Sequence, residues 1–211
     1  MEIVQKPVPS ENEVLVKVHA VSVNYADWHM LTGTPFLARM AFGLFRPKLS
    51  ILGADIAGTV EAVGNAVTDF KPGDEVYGDL GLNGFGGFAE YVCAPQNLIA
   101  LKPVNLTFAE TAALPMAAVT ALQALRDGGK LQRGQKVLIH GAAGGVGTFA
   151  VQIARHLGAE VTAVCSTRNI DLVRSLGADH IIDYTKEDFA ANGTKYDLIL
   201  GINGNLASDA A

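Results

Sequence analysis

The chain has 211 residues, 49% hydrophobic and 18% charged, which is ample for a packed core and more than one ordinary domain needs. A formal net charge of −5 argues against nucleic acid or an anionic membrane surface as the main partner. The longest apolar stretch, 112–125, is interrupted by Pro115, Thr120 and Gln123 and is too short to span a bilayer.

The first residues carry neither a signal-peptide pattern nor an Arg-rich amphipathic one, so a cytoplasmic location is the expectation. Residues 1–115 read as β structure. Glu13 to Ala20 alternates apolar and polar positions, as a half-buried antiparallel strand does, and Thr59–Val63, Glu75–Tyr77 and Phe88–Val92 repeat the pattern between Gly, Pro and Asn-Asp punctuation. A compact, irregular β barrel is expected. The two cysteines, Cys93 and Cys165, sit in apolar strand contexts and read as reduced, buried thiols.

From Thr107 the texture changes. Thr107-Phe108-Ala109-Glu110 fits a capping box, an Ala-rich helix is expected from about Pro115 to Leu125, and Gly128-Gly129 ends it. Lys136–His140 is a short apolar run suited to a buried parallel strand, and the chain then turns through Gly141-Ala142-Ala143-Gly144-Gly145-Val146-Gly147. In the helix that follows, Val146, Ala150, Ile153, Ala154 and Leu157 fall on one face, which must lie on the sheet. Gly158 supplies a left-handed cap, and Glu160–Cys165 is the next buried strand. Arg155–Glu160 and Arg174–Asp179 are similar segments 19 residues apart, each ending a helix and opening a strand. Ile181–Tyr184 reads as a third strand, Thr185 and Asp188 as the caps of a short helix, and Tyr196–Ile202 as a fourth strand left as a sheet edge.

Strand, glycine turn and helix in this order are what a dinucleotide's pyrophosphate requires. Gly144 lets the backbone approach the phosphates, Gly147 lets the helix pack closely on the strand, and the helix N-terminus offers unpaired N–H groups. Ala142, Gly144, Gly145, Val146 and Gly147 are therefore the candidate cofactor-binding turn, although Ala142 replaces the first glycine of the usual G-x-G-x-x-G. The competing reading is a glycine turn with no ligand. At the end of the second strand Ser166, Thr167 and Arg168 offer hydroxyls and a guanidinium and no carboxylate, which favours NADPH over NADH. Alternatively, Ser166 or Thr167 caps a helix over Asn169–Leu176 and Arg168 is a solvated charge.

Four segments in order, Gly53–Val60, Phe70–Val76, Gly87–Tyr91 and Ala142–Gly147, resemble the medium-chain dehydrogenase/reductase superfamily. Gly134–Arg155 is similar to the signature of its zinc-independent quinone oxidoreductase and zeta-crystallin branch. The resemblance implies an α/β protein, with a GroES-like irregular β barrel as catalytic domain over 1–115. An incomplete Rossmann domain, a doubly wound parallel sheet, is implied over 116–211. It also implies a fragment lacking both ends of the family's length, and a homodimer for the full-length family. Zinc-dependent members take their ligands from three places that here read Asn24-Tyr25-Ala26-Asp27, Gly53-Ala54-Asp55 and Leu114-Pro115-Met116-Ala117. None supplies a thiolate or imidazole, and there is no C-x-x-C for a structural zinc, so no metal is expected.

Without a Lewis acid, the plausible hydride acceptors are those that delocalise the incoming charge themselves, namely small-molecule quinones or α,β-unsaturated carbonyls. The resemblance places Asn24, Asp27 and His29 in the catalytic loop: Asn24 on the cofactor's ribose, and His29 as a proton donor or a ribose contact. Capping by Asp27 and a surface imidazole at His29 is the alternative. Tyr184 resembles a tyrosine that flanks the 2′-phosphate, with strand-edge packing as its alternative. Trp28, Phe36, Phe42 and Phe45 are candidates for an apolar substrate slot or for core, and His19, His140, His156 and His180 read as structural. An NADPH-dependent quinone or enone reductase is the leading expectation. Enoyl-thioester reduction on the same scaffold is a second, and a non-catalytic nucleotide-binding or structural protein, or an inactive fragment, is a third.

Overall fold

The computed structural model describes residues 3–34, 50–190 and 193–202. It divides into two compact units, Met1–Met116 and Ala117–Ala211.

The first unit is a five-stranded antiparallel sheet in the order β4-β1-β2-β3-β5. Its strands are β1 (Glu13–Val21), β2 (Asp55–Val63), β3 (Glu75–Asp79), β4 (Tyr91–Pro95) and β5 (Ile99–Leu101). Helix α1 (Tyr25–Thr32) follows β1, and α2 (Phe108–Ala112) follows β5. The core is aliphatic: Val14, Val16, Ile56, Val60, Val76, Leu80, Val92, Ala94 and Ile99 form one cluster. The simple alternation expected of β1 does not hold, because Val14, Leu15 and Val16 are all buried. Irregularities in the β1–β2 register between Leu15 and Val16, and again between Val18 and Ala20, shift the phase of the pleat.

Phe88–Val92 also differs from expectation, since the strand begins only at Tyr91. The amides of Gly87 and Phe88 donate to the carbonyls of Gly53 and Leu52, which ties this stretch to the segment before β2. The capping box at Thr107 is present: its amide donates to Glu110 Oε2 at 2.9 Å, and Glu110 N donates to Thr107 Oγ1 at 3.2 Å. Helix α3 (Pro115–Leu122) then widens over Gln123–Gly128 into a looser turn, marked by the Gly129 N–H bonding the Ala124 carbonyl, so the regular helix ends before the expected Leu125.

The second unit is a parallel sheet in the order β8-β7-β6-β9. Its elements are β6 (Lys136–His140), α4 (Gly145–His156), β7 (Glu160–Cys165), α5 (Ile170–Ser175), β8 (His180–Asp183) and β9 (Leu198–Gly201). Strand residues alternate between two apolar layers. Val137, Ile139, Val161 and Ala163 pack with Ala150, Val151 and Ala154 of α4, whereas Leu138, Val164 and Ile182 pack with Phe189 and Tyr196 on the other face. The expected helical face of α4 omits Val151, which is fully buried. Gly158 and Gly177 both take left-handed conformations, φ +82° and +100°, so the two similar segments are successive helix-to-strand turns.

Two further expectations are corrected. No helix forms at Thr185–Asp188; the carbonyl of Asp183 accepts from both Lys186 N and Glu187 N, and the segment is a tight turn. The fourth strand is shorter than Tyr196–Ile202, because Asp197 pairs its own side chain and amide with Lys136 and only Leu198–Gly201 runs parallel beside β6.

The tightest packing in this unit is at Gly147. A Cβ there would lie 2.1 Å from the Gly141 carbonyl oxygen and 2.7 Å from Ala142, so α4 can approach the turn only without a side chain. Gly147→Ala is therefore expected to lower stability by about 1–3 kcal/mol, the scale of an overpacked site, read as a shift in the urea unfolding midpoint.

Candidate functional site

A cleft of about 880 Å3 opens at the C-terminal ends of β6, β7 and β8. This is the edge at which open parallel sheets bind ligands. Three segments contribute its lining: His140–Gly144 except Ala142, Val164–Asn169 except Thr167, and Tyr184–Phe189.

The glycine turn sorts its residues physically. Gly144 is exposed at the start of α4, with φ −80° and ψ 174°, and a Cβ there would meet nothing closer than the Gly141 carbonyl at 3.4 Å. Its missing side chain leaves open space in the cleft, whereas the one missing at Gly147 allows packing. Around Gly145 no atom lies within 4 Å of a built Cβ. Ala142 points inward: it is fully buried, and its amide is taken by the Val164 carbonyl at 3.2 Å. Of the expected turn residues, Gly144 lines the cleft, while Ala142, Gly145, Val146 and Gly147 are not among its lining residues. The first amides of α4 still face outward without intrahelical acceptors, as every helix start does.

The opposite wall brings together Ser166, Arg168 and Tyr184. Arg168 is exposed and makes no salt bridge among the described residues. Thr167 is placed differently: its hydroxyl donates to Asp183, so its one proton is already committed. Asp183 itself, 6% exposed, also accepts from the amide and hydroxyl of Thr185 at 3.0 and 2.7 Å, with Lys186 Nζ at 3.5 Å. Those hydroxyls, Thr167 first, hold its carboxyl down at about 2. The stability this ionised group contributes is present above pH 4 and is lost as pH falls toward 2.

Lys186 and His140 line the cleft and Asp183 directly precedes its lining residue Tyr184; sequence reasoning passed over Lys186 and Asp183 as site residues and read His140 as structural. For Asp183 and Lys186 the available signal is position, one at the last residue of a parallel strand and the other three residues on. His140 ends β6, is 8% exposed, packs its ring 5.3 Å from that of Phe189, and has an Nδ1 with no hydrogen-bond partner among the described residues. An orphaned buried nitrogen and an open glycine are both features that a ligand in this cleft would complete. Glu187 and Asp188 also line the rim, so the wall is not uniformly basic. Burial, and then Asp183, push the Cys165 thiol up, which makes it a poor nucleophile.

The first unit has its own polar cluster. Asp55, fully buried, accepts from Ser22 Oγ at 2.7 Å, Asn24 Nδ2 at 3.0 Å and Met116 N at 3.0 Å. Burial pushes its carboxyl up against the pull of those donors, and Asp79, its register partner on β3, adds to the rise. Asp27, 2% exposed, accepts from the amides of Asn24 at 2.8 Å and Gly53 at 3.1 Å, so its carboxylate serves the fold. The three segments expected to be ligand positions in zinc-dependent relatives thus do converge, joined by hydrogen bonds to Asp55 and Asp27. Among the described residues no group of three or more His, Cys, Asp or Glu is placed to hold a metal ion.

His29 directs Nδ1 at the Thr34 carbonyl, and its ring lies 4.3 Å from Tyr25 and 5.2 Å from Trp28. Facing a carbonyl, Nδ1 must carry hydrogen, which leaves Nε2 of the neutral ring an acceptor. Trp28 stacks on Tyr25, which is 72% exposed, and is half-exposed itself. Phe36, Phe42 and Phe45 lie outside the described residues.

Residues 10–104 match the alcohol dehydrogenase GroES-like domain, and residues 145–205 match the zinc-binding dehydrogenase family. The chain is 42% identical over 206 residues to the chloroplastic quinone-oxidoreductase QR1 of Triphysaria versicolor, covering 92% of this chain and 60% of that protein. It is 39% identical over 210 residues to a chloroplastic NADPH-dependent alkenal/one oxidoreductase of Arabidopsis thaliana, covering 94% and 52%. Among solved structures, the CurK enoyl reductase is 32% identical with a TM-score of 0.88, over 99% of this chain and 64% of that one. An NAD-dependent alcohol dehydrogenase is 31% identical with a TM-score of 0.83, over 99% and 68%. The chain thus spans about half to two thirds of the length of these proteins. With the β unit, the parallel unit and both family matches in one order, it belongs to the medium-chain dehydrogenase/reductase superfamily, in the quinone oxidoreductase-like branch.

Proposed function

We propose that the chain binds NADPH in the cleft of its second unit and is the part of a reductase that delivers hydride to a quinone or an α,β-unsaturated carbonyl, without a metal. The observation that carries the reading is Gly144, a helix-start residue with ordinary dihedral angles and free space where a side chain would be. Names of relatives support the chemistry: one is a quinone oxidoreductase and another an NADPH-dependent alkenal/one oxidoreductase. The likeness to an enoyl reductase keeps enoyl-thioester reduction as a second reading on the same scaffold.

A reduced nicotinamide, when bound, supplies the hydride. The chain's residues bind and orient. The turn at Gly144 and the amides that open α4 suit a pyrophosphate, and Arg168, Ser166 and Tyr184 suit a 2′-phosphate. In the first unit, Asn24 commits its amide hydrogens to Ser22 and Asp55 and its side chain also caps the Asp27 amide, so a ribose hydroxyl would share its oxygen through the second lone pair. With its Nδ1 hydrogen on the Thr34 carbonyl, the neutral His29 ring offers an acceptor at Nε2, which suits a ribose hydroxyl better than a proton-donor role. Metal independence rests on the donor chemistry at the three converging segments, where Asn24, Ala54 and Met116 offer no thiolate or imidazole.

Gly144→Val is expected to abolish NADPH binding, measured by quenching of nicotinamide fluorescence, while leaving the unfolding midpoint nearly unchanged; a variant that titrates like the parent sinks the cleft assignment. NADPH is expected to bind more tightly than NADH, and Arg168→Ala to erase most of the difference; equal affinities in the parent contradict the 2′-phosphate assignment. Elemental analysis is expected to find no stoichiometric zinc, and chelators to leave turnover unchanged.

A further inference from the structure

The wall of the cleft opposite the glycine turn is made from two chain segments, the turn after β7 and the turn after β8. One side chain joins them. Asp183 pairs in register with Cys165 at the ends of the two strands, and its carboxylate collects donors from both turns: the Thr167 hydroxyl from one, and the amide and hydroxyl of Thr185 from the other. Thr167 and Thr185 hydroxyls also lie 3.2 Å apart, so the three groups close a ring. Next to Thr167 is Arg168, and next to Thr185 are Tyr184 and Lys186, the cationic and aromatic groups that face the cleft.

The geometry points to Asp183 as the positioning residue for 2′-phosphate selectivity, acting through Thr167 and Thr185 to hold Arg168, Tyr184 and Lys186 at one spacing. This rests on the cleft binding a nicotinamide dinucleotide. A carboxylate beside a phosphate subsite ordinarily repels it, since like charges at short range disfavour each other. Here the carboxylate is turned inward, 6% exposed, with both oxygens occupied by donors and Lys186 at 3.5 Å. Its hydrogen-bonding capacity goes to the scaffold, and the cations it organises remain toward solvent.

Two mechanisms therefore predict opposite signs for one substitution. Asp183→Asn keeps the size of the side chain, removes the charge that faces Lys186 and replaces one acceptor by a donor, so one of the two threonine hydroxyls can no longer donate to it and must turn to accept a neutral, weaker hydrogen bond. If Asp183 positions the wall, NADPH binds about tenfold more weakly, the scale of one charge-assisted hydrogen bond, and NADH affinity changes little. If the carboxylate acts by repulsion, NADPH binds more tightly. If its role is only structural, both cofactors weaken equally. The last two results each overturn the proposal.

Thr167 supplies a second test that leaves the Asp183 carboxylate in place. Thr167→Ser retains the hydroxyl and is expected to preserve the NADPH-to-NADH affinity ratio, whereas Thr167→Val is expected to lower it. In Asp183→Asn, adding Thr167→Val is expected to cost nothing further; additive losses would mean that Thr167 meets the phosphate itself and that Asp183 does not act through it. Should Asp183→Asn not fold, the Ser and Val pair at Thr167 decides alone, and equal ratios in both overturn the proposal. A parent chain that binds neither NADPH nor NADH refutes the cleft reading on which the proposal stands, a result distinct from an unaltered ratio.

Discussion

The approach of α4 to the turn after β6 governs the second unit. With the Gly141 carbonyl 2.1 Å from where a Gly147 side chain would begin, the helix lies as close to the sheet as a backbone permits. That closeness buries Ala150, Val151 and Ala154 against β6 and β7 and aims the first turn of the helix along the strand ends. Gly144, one turn earlier, then faces the cleft. Packing at one glycine thereby produces an open binding surface at another, and the two requirements are chemically separate.

Each unit also contains a buried aspartate that gathers donors from distant segments, and the two titrate in opposite directions. Asp55 collects a hydroxyl, a side-chain amide and a backbone amide, yet full burial and the facing Asp79 outweigh them and its carboxyl rises. Asp183 collects two hydroxyls and a backbone amide beside a lysine, and its carboxyl falls to about 2. At Asp183 the hydrogen bonds from two threonine hydroxyls outweigh burial, whereas at Asp55 burial outweighs the donors. Asp55 stands where metal-dependent relatives are expected to place a ligand segment, and it links that segment to two others by hydrogen bonds alone.

Much of this arrangement was readable from residue order. The strand Lys136–His140, the glycine turn, the helix with its buried face and the left-handed Gly158 each have local signatures, and parallel pairing follows from their succession. What escaped reading depends on tertiary partners. The short β5 and the late start of β4 are set by hydrogen bonds to residues far away in the chain, and the phase shift in β1 comes from its irregular pairing with β2. Arg168, Ser166 and Tyr184 line the cleft and are visible in sequence by the chemistry of their side chains, whereas Thr167 looks like a ligand in sequence and donates to Asp183 in space. Asp27 similarly reads as catalytic and turns out to accept two backbone amides. His140 has no sequence partner, and among the described residues its buried Nδ1 has no hydrogen-bond partner either.

The central claim is that one cleft, at the ends of β6, β7 and β8, takes the dinucleotide. Amide hydrogen exchange with and without NADPH tests it most directly, because it reports where the ligand sits without presupposing any residue's role. The account predicts slowed exchange at the start of α4 and in residues 164–169 and 184–189. Protection absent from these three segments, with NADPH bound, would contradict it.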